Sequence, residues 1–71
     1  MASQTIRETD AVRLVRTKRG GRLETKWPRH HPKRISICAD DVQYLVGLQS
    51  AATFDAAAVW DFGLGVQENE R

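Results

Sequence analysis

Disulfides, metal clusters and catalytic constellations are what this chain lacks. Cys38 is its only cysteine. No disulfide can therefore close within one chain, and a lone thiol suits a reducing compartment. There is no Cys-x-x-Cys, no His-Glu-x-x-His and no glycine-rich phosphate loop. Gly20-Gly21 is long enough for a turn but not for a nucleotide cradle. His30 and His31 are the only histidines and stand side by side between two prolines. Adjacent side chains diverge, so a zinc set with Cys38 or Asp40 would have to be gathered from a floppy segment. The pair reads instead as exposed loop residues. Cys38 has no activating base beside it and reads as a small, mostly buried strand-end thiol. Asp40 and Asp41 read as helix-start residues rather than paired catalytic carboxylates. The expectation is a protein that is not an enzyme and holds no cofactor and no metal.

Long apolar runs are also missing. Nothing approaches the ~20 residues that span a bilayer, so no membrane partner is expected. The first residues include Arg7, Glu8, Asp10 and Arg13 in place of an apolar leader. A cytoplasmic protein is the corresponding expectation. The 71 residues form one small domain, with residues 1–10 and 67–71 expected to fray because they are polar and terminal. A core this small supplies roughly 3–5 kcal/mol without a staple. Association is the remaining stabiliser, so a homodimer or a subunit of a larger complex is expected.

What is present is a sharp division of charge. Residues 1–34 hold ten Lys/Arg against three Asp/Glu, and residues 35–71 hold one Arg against six acids. The formal total of +2 conceals this split. Within residues 13–34 there are nine cations and a single acid, Glu24. Solubility alone would be served as well by mixed signs. Such a stretch attracts polyanions, and phosphate contacts made by it would weaken steeply with salt.

The basic half reads as a β-hairpin. Residues 11–19 and 22–27 are β-prone and flank Gly20-Gly21, which can supply the positive φ of a tight turn. A two-residue loop there sets Leu14 opposite Trp27 and Lys18 opposite Leu23. Val12, Leu14, Leu23 and Trp27 then share an apolar face, and Arg13, Val15, Glu24 and Lys26 share the other. Residues 28–33, bounded by Pro28 and Pro32, read as a basic connection. Residues 34–38 alternate polar and apolar as a half-buried strand. Asp40 and Asp41 then favour a helix N-terminus, and Val42, Leu45, Val46 and Leu48 mark a helical face running to about Ser50. The last segment supports two readings. A helix over residues 53–62 would be capped by Thr53, propagated by Ala56, Ala57 and Ala58, and ended by Gly63. A strand is also readable from the alternation of Ala58, Trp60, Phe62, Leu64 and Val66, but the Ala run favours the helix. Trp27, Phe54, Trp60 and Phe62 are assigned to the core, with an exposed base-stacking contact as the alternative for Trp27, the one of the four in the basic half.

The fold class expected is α+β: a basic N-terminal hairpin plus a third short strand, packed on one or two helices. The binding surface expected is the cationic ribbon and loop, comprising Arg13, Arg16, Lys18, Arg19, Arg22, Lys26, Arg29, Lys33, Arg34 and Ser36. Residues 33–63 resemble the ribbon-helix-helix DNA-binding proteins. The similarity lies in Lys33-Arg34-Ile35-Ser36-Ile37, then Asp40-Asp41 opening one helix and Thr53 and Asp55 opening a second. It implies a strand paired with its twin in a dimer, with Arg34, Ser36 and Cys38 toward bases and Ile35 and Ile37 toward the core. Cys38 stands where a long polar reader belongs, and the hairpin lies outside the motif. The function expected is a DNA-binding-regulator type of protein that docks its basic ribbon on nucleic acid or a nucleoprotein complex. The alternative is a phage or mobile-element inhibitor, of the anti-CRISPR kind, that occupies the nucleic-acid site of a host protein complex.

Overall fold

A computed structural model describes residues 4–27 and 29–64. Four strands form one antiparallel sheet in chain order: β1 (Gln4–Glu8), β2 (Val12–Thr17), β3 (Gly20–Thr25) and β4 (Arg34–Ile37). Two helices follow, α1 (Ala39–Gly47) and α2 (Ala51–Ala56), and α2 runs on into a π-helical turn at Ala57–Asp61. The class is α+β, as the sequence pattern indicates. Val12, Leu14 and Leu23 from the sheet meet Val42, Leu45, Phe54, Ala57 and Ala58 from the helical layer in one core. Among the described residues, the opposite face of the sheet carries no helix.

The hairpin exists, but its turn is not at the glycines. Thr17 pairs with Gly20 and Leu14 with Leu23, so the turn is Lys18-Arg19. Gly20 and Gly21 serve packing instead. A Cβ on Gly20 would stand 2.7 Å from the Ile37 carbonyl and 2.8 Å from the Ala39 nitrogen, and one on Gly21 would overlap Val42 Cγ2. Gly20 also takes φ +141°, a region glycine tolerates. The absent side chains let β4 and the start of α1 close against β3. The partner of Leu14 thus lies four residues earlier than the Gly-Gly turn implies. An even shift keeps each residue on its face, so Val12, Leu14 and Leu23 still point inward. It does carry Trp27 past the end of the ladder, leaving it 54% exposed rather than in the core.

Residues 4–8, expected to fray, form a strand, and residues 1–3 lie outside the described residues. β1 pairs with β2, and a bulge between Thr5 and Arg7 puts Arg7 opposite Leu14, on the inner face. The Arg7 guanidinium donates to the Leu45 carbonyl at 3.2 Å and to the Leu48 carbonyl, and lies 4.7 Å from the Phe54 ring centroid. A cation there meets the negative end of α1 and an aromatic face. These contacts tie β1 to both helices.

Three helical details differ from expectation. α1 ends at Gly47, and Val46 is exposed because Val42 and Leu45 already fill the buried arc. α2 starts two residues before Thr53, since Ser50 is the N-cap and its Oγ accepts from the Thr53 N–H at 3.0 Å. Cys38 caps α1 without a side-chain hydrogen bond and is exposed, because the alternation along β4 turns Ser36 and Cys38 outward. The last segment resolves as helical: the Phe62 N–H donates to the Ala57 carbonyl at 3.1 Å, five residues back. Gly63 ends it at φ +76°. Ala57, Ala58 and Val59 form the buried arc, so Trp60 points out and is 66% exposed. Phe54 is fully buried and Phe62 partly so. Val66 and the C-terminal residues 67–71 lie outside the described residues. None of the described helices is long and apolar enough to cross a membrane.

Candidate functional site

The helix-free face of the sheet is a charged lattice. Strand register aligns Glu8, Arg13, Glu24 and Arg34 in one row across all four strands, and Thr5, Val15, Arg22 and Ser36 in the next. Oppositely charged side chains meet along the first row. Arg13 lies 3.8 Å from Glu8 and 3.5 Å from Glu24, and Arg22 donates to Glu24 at 2.7 Å. Lys26 reaches Glu8 at 2.6 Å. That hydrogen bond and the Lys26 charge hold the Glu8 carboxyl below its usual range, with Arg13 adding to the effect and desolvation opposing it. Three cations that look free in the sequence are therefore bound to two carboxylates. At a surface each such pair contributes only about 0–1 kcal/mol. The lattice orients Arg13, Arg22 and Lys26 more than it stabilises the fold.

The remaining cations sit at opposite ends of the sheet. At one end the β2–β3 turn exposes Lys18 and Arg19, with Arg16 nearby. Neither they nor Arg34 forms an ion pair with a described residue. At the other end is the long β3–β4 loop. Its base is closed by the Thr25 N–H on the Lys33 carbonyl and the Lys33 N–H on Thr25 Oγ1, both at 2.8 Å. This accounts for Thr25 as a buried polar residue. Six residues of strand at about 3.4 Å each separate the two ends by roughly 20 Å. The expected single ribbon of charge is thus two clusters joined by the ion-pair lattice.

An open cleft of about 700 Å³ lies at the loop end, lined by Asp10, Arg13, Glu24, Lys26, Trp27 and Arg29, with Thr25 and Pro32. Arg29 packs over the Trp27 ring, 5.2 Å from its centroid. Arg29 thereby holds the exposed indole beside the cleft while keeping its own charge in solvent. The Lys26 N–H donates to the Ala11 carbonyl at 2.9 Å, which brings the β1–β2 turn against the loop and puts Asp10 in the cleft.

Of the ten residues singled out in the sequence, the cleft gathers Arg13, Lys26 and Arg29. Arg22, Arg34 and Ser36 extend its approach across the open sheet face. Arg16, Lys18 and Arg19 form the separate distal cluster, and Lys33 closes the loop base. Sequence reasoning placed Trp27 in the core, with an exposed stacking contact as its alternative, and gave Asp10 no role. The position of Trp27 inside the basic run was the signal for that alternative. Asp10 carried none. No family model, curated protein or solved structure matches this chain.

Proposed function

We propose that this is a non-enzymatic nucleic-acid-binding protein that takes an unpaired stretch of polynucleotide across its open sheet face. The observation that carries this reading is Trp27, 54% exposed, braced by Arg29 and standing in a cleft lined by Arg13 and Lys26. An exposed indole braced by a guanidinium offers a flat apolar face on which a partner can stack. A cationic groove with an aromatic platform is the chemistry that binds single strands, because every base has a face that can stack. Duplex DNA keeps its bases stacked and offers Trp27 only the backbone. The phosphates would follow Arg29, Arg34 and the ion-paired Arg13 and Arg22 toward Lys18 and Arg19. The loop end would act as the stacking site and the turn end as a purely electrostatic one.

Fluorescence anisotropy with short labelled single strands tests the reading. The parent should bind at low salt, with log affinity falling linearly against log salt at a slope set by roughly three to five phosphate contacts. Trp27→Ala should lose about 1–3 kcal/mol of binding with little change in melting temperature, since the side chain leaves the ladder. Lack of binding to single strands and duplexes at low salt would refute the proposal. Capture of a protein complex by the same surface under those conditions would favour the inhibitor reading instead.

A further inference from the structure

The cleft contains one charged group with nothing to do. Its other charged groups and Thr25 are accounted for. Arg13 and Lys26 hold Glu24 and Glu8, Glu24 also holds Arg22, Arg29 covers Trp27, and Thr25 accepts from Lys33. Asp10 lines the same cleft, yet its carboxylate makes no ion pair or hydrogen bond with a described residue. Arg13, Lys26 and Arg29 line the same cleft, and a carboxylate on a slack loop could swing onto one of them. Asp10 is not on a slack loop. Thr9 Oγ1 accepts from the Ala11 and Val12 N–H groups at 3.3 and 3.2 Å, and the Thr9 N–H donates to the Val12 carbonyl at 2.9 Å. The same hydroxyl donates to the Asp55 carboxylate, which anchors the turn to α2. The Lys26–Ala11 hydrogen bond fixes the far side. The turn is thus held at both flanks, and the carboxylate is left as a free acceptor in the cleft that the exposed indole also lines.

A carboxylate is repelled by phosphate, so it adds nothing to non-specific binding. It accepts hydrogen bonds strongly from an exocyclic amino group, as Asp and Glu do with cytosine N4. Thymine and uracil offer carbonyl oxygens at the equivalent position. We propose that Asp10 reads the edge of the base stacked on Trp27 and makes the cleft prefer the bases with an amino group at that position, cytosine and adenine, over thymine or uracil. This rests on the single-strand reading above and adds base selectivity to it. Net affinity would come from Trp27 and the cations, and selectivity from Asp10.

The test uses the full chain carrying Trp60→Phe, so that quenching reports Trp27 alone. Oligo-dC, oligo-dA and oligo-dT of about twelve nucleotides are titrated against it and against the same protein with Asp10→Ala. Oligo-dC and oligo-dA should bind roughly tenfold more tightly than oligo-dT. Asp10→Ala should collapse that ratio chiefly by strengthening oligo-dT, because removing the carboxylate also removes its repulsion of phosphate. Asp10→Asn, which can both donate and accept, should give an intermediate ratio. Equal binding of the three oligonucleotides by the parent, or a ratio that survives Asp10→Ala, overturns the base-reading role while leaving the single-strand reading intact. Failure of all three to bind at low salt overturns both.

Discussion

Gly21→Ala tests the hairpin register directly. Gly21 is buried and pairs with Arg16 on one side and Ile37 on the other. Its backbone lies outside the left-handed region, so an alanine meets no conformational penalty. By itself that change would shed unfolded-state entropy and stabilise by about 0.4–1 kcal/mol. The obstacle is steric. The new methyl would overlap Val42 Cγ2 and lie 3.1 Å from the Val15 carbonyl. Val42 is 1% exposed, and a β-branched helical side chain has no second comfortable rotamer. Overpacking of this kind costs about 1–3 kcal/mol, so the net loss should be about 1–2 kcal/mol. Val42→Ala alone removes two methyl groups at about 0.8 kcal/mol each, with a cavity term added. In the double variant the methyl introduced at position 21 enters the vacated space. The pair should therefore be at least as stable as Val42→Ala, a coupling that urea unfolding with unchanged m-values can measure. Strict additivity of the two changes would refute the reasoning. A turn at Gly20-Gly21 would put residue 21 at the hairpin tip, where the effect of an alanine could not depend on Val42.

Two further outcomes follow from the same contacts. Arg7→Met keeps the aliphatic stem but removes charged hydrogen bonds to the end of α1 and the contact with Phe54. It should cost about 2–3 kcal/mol and lower the melting temperature by about 10 °C or more, as read by circular dichroism. For Glu8, the carboxyl is held below its usual 4.5 by Lys26 and then Arg13. Its contribution to stability is complete above that value and is lost as the pH falls through the lowered one. Urea midpoints of the parent and of Glu8→Gln should differ near neutrality and converge in acid, and a gap that widens in acid would contradict the ion-pair assignment.

The inner face of the hairpin was legible because alternation survives any even slip of register. Val12, Leu14 and Leu23 point inward with the turn at either position. The place of the turn was not legible. A Gly-Gly pair serves a tight turn or a close approach equally well, and only the approach of Ile37, Ala39 and Val42 decides between them. That one ambiguity also misplaced Trp27. β1 was hidden for a different reason: its bulge turns an arginine inward, and a polar, charged strand has no two-residue hydrophobic period to read. The cations were all visible, but their neutralisation by Glu8 and Glu24 depends on a cross-strand row that only the register reveals. Of the cleft, Arg13, Lys26 and Arg29 were named from sequence and Trp27 only as an alternative contact, whereas the actual exposure of the indole and the position of Asp10 required the fold.

The two glycines beyond the Lys18-Arg19 turn divide the hairpin into a part that tolerates change and a part that does not. Residues 20 and 21 are wedged beneath β4 and α1, where no side chain fits. Residues 18 and 19 are exposed and hold none of the ion pairs. A peptide tag or fluorophore-bearing insertion between Lys18 and Arg19 would be carried on a rigid stem, roughly 20 Å from the cleft. The tip is thus a natural splice point, where the chain can be lengthened or labelled without disturbing the core or the cleft at the other end.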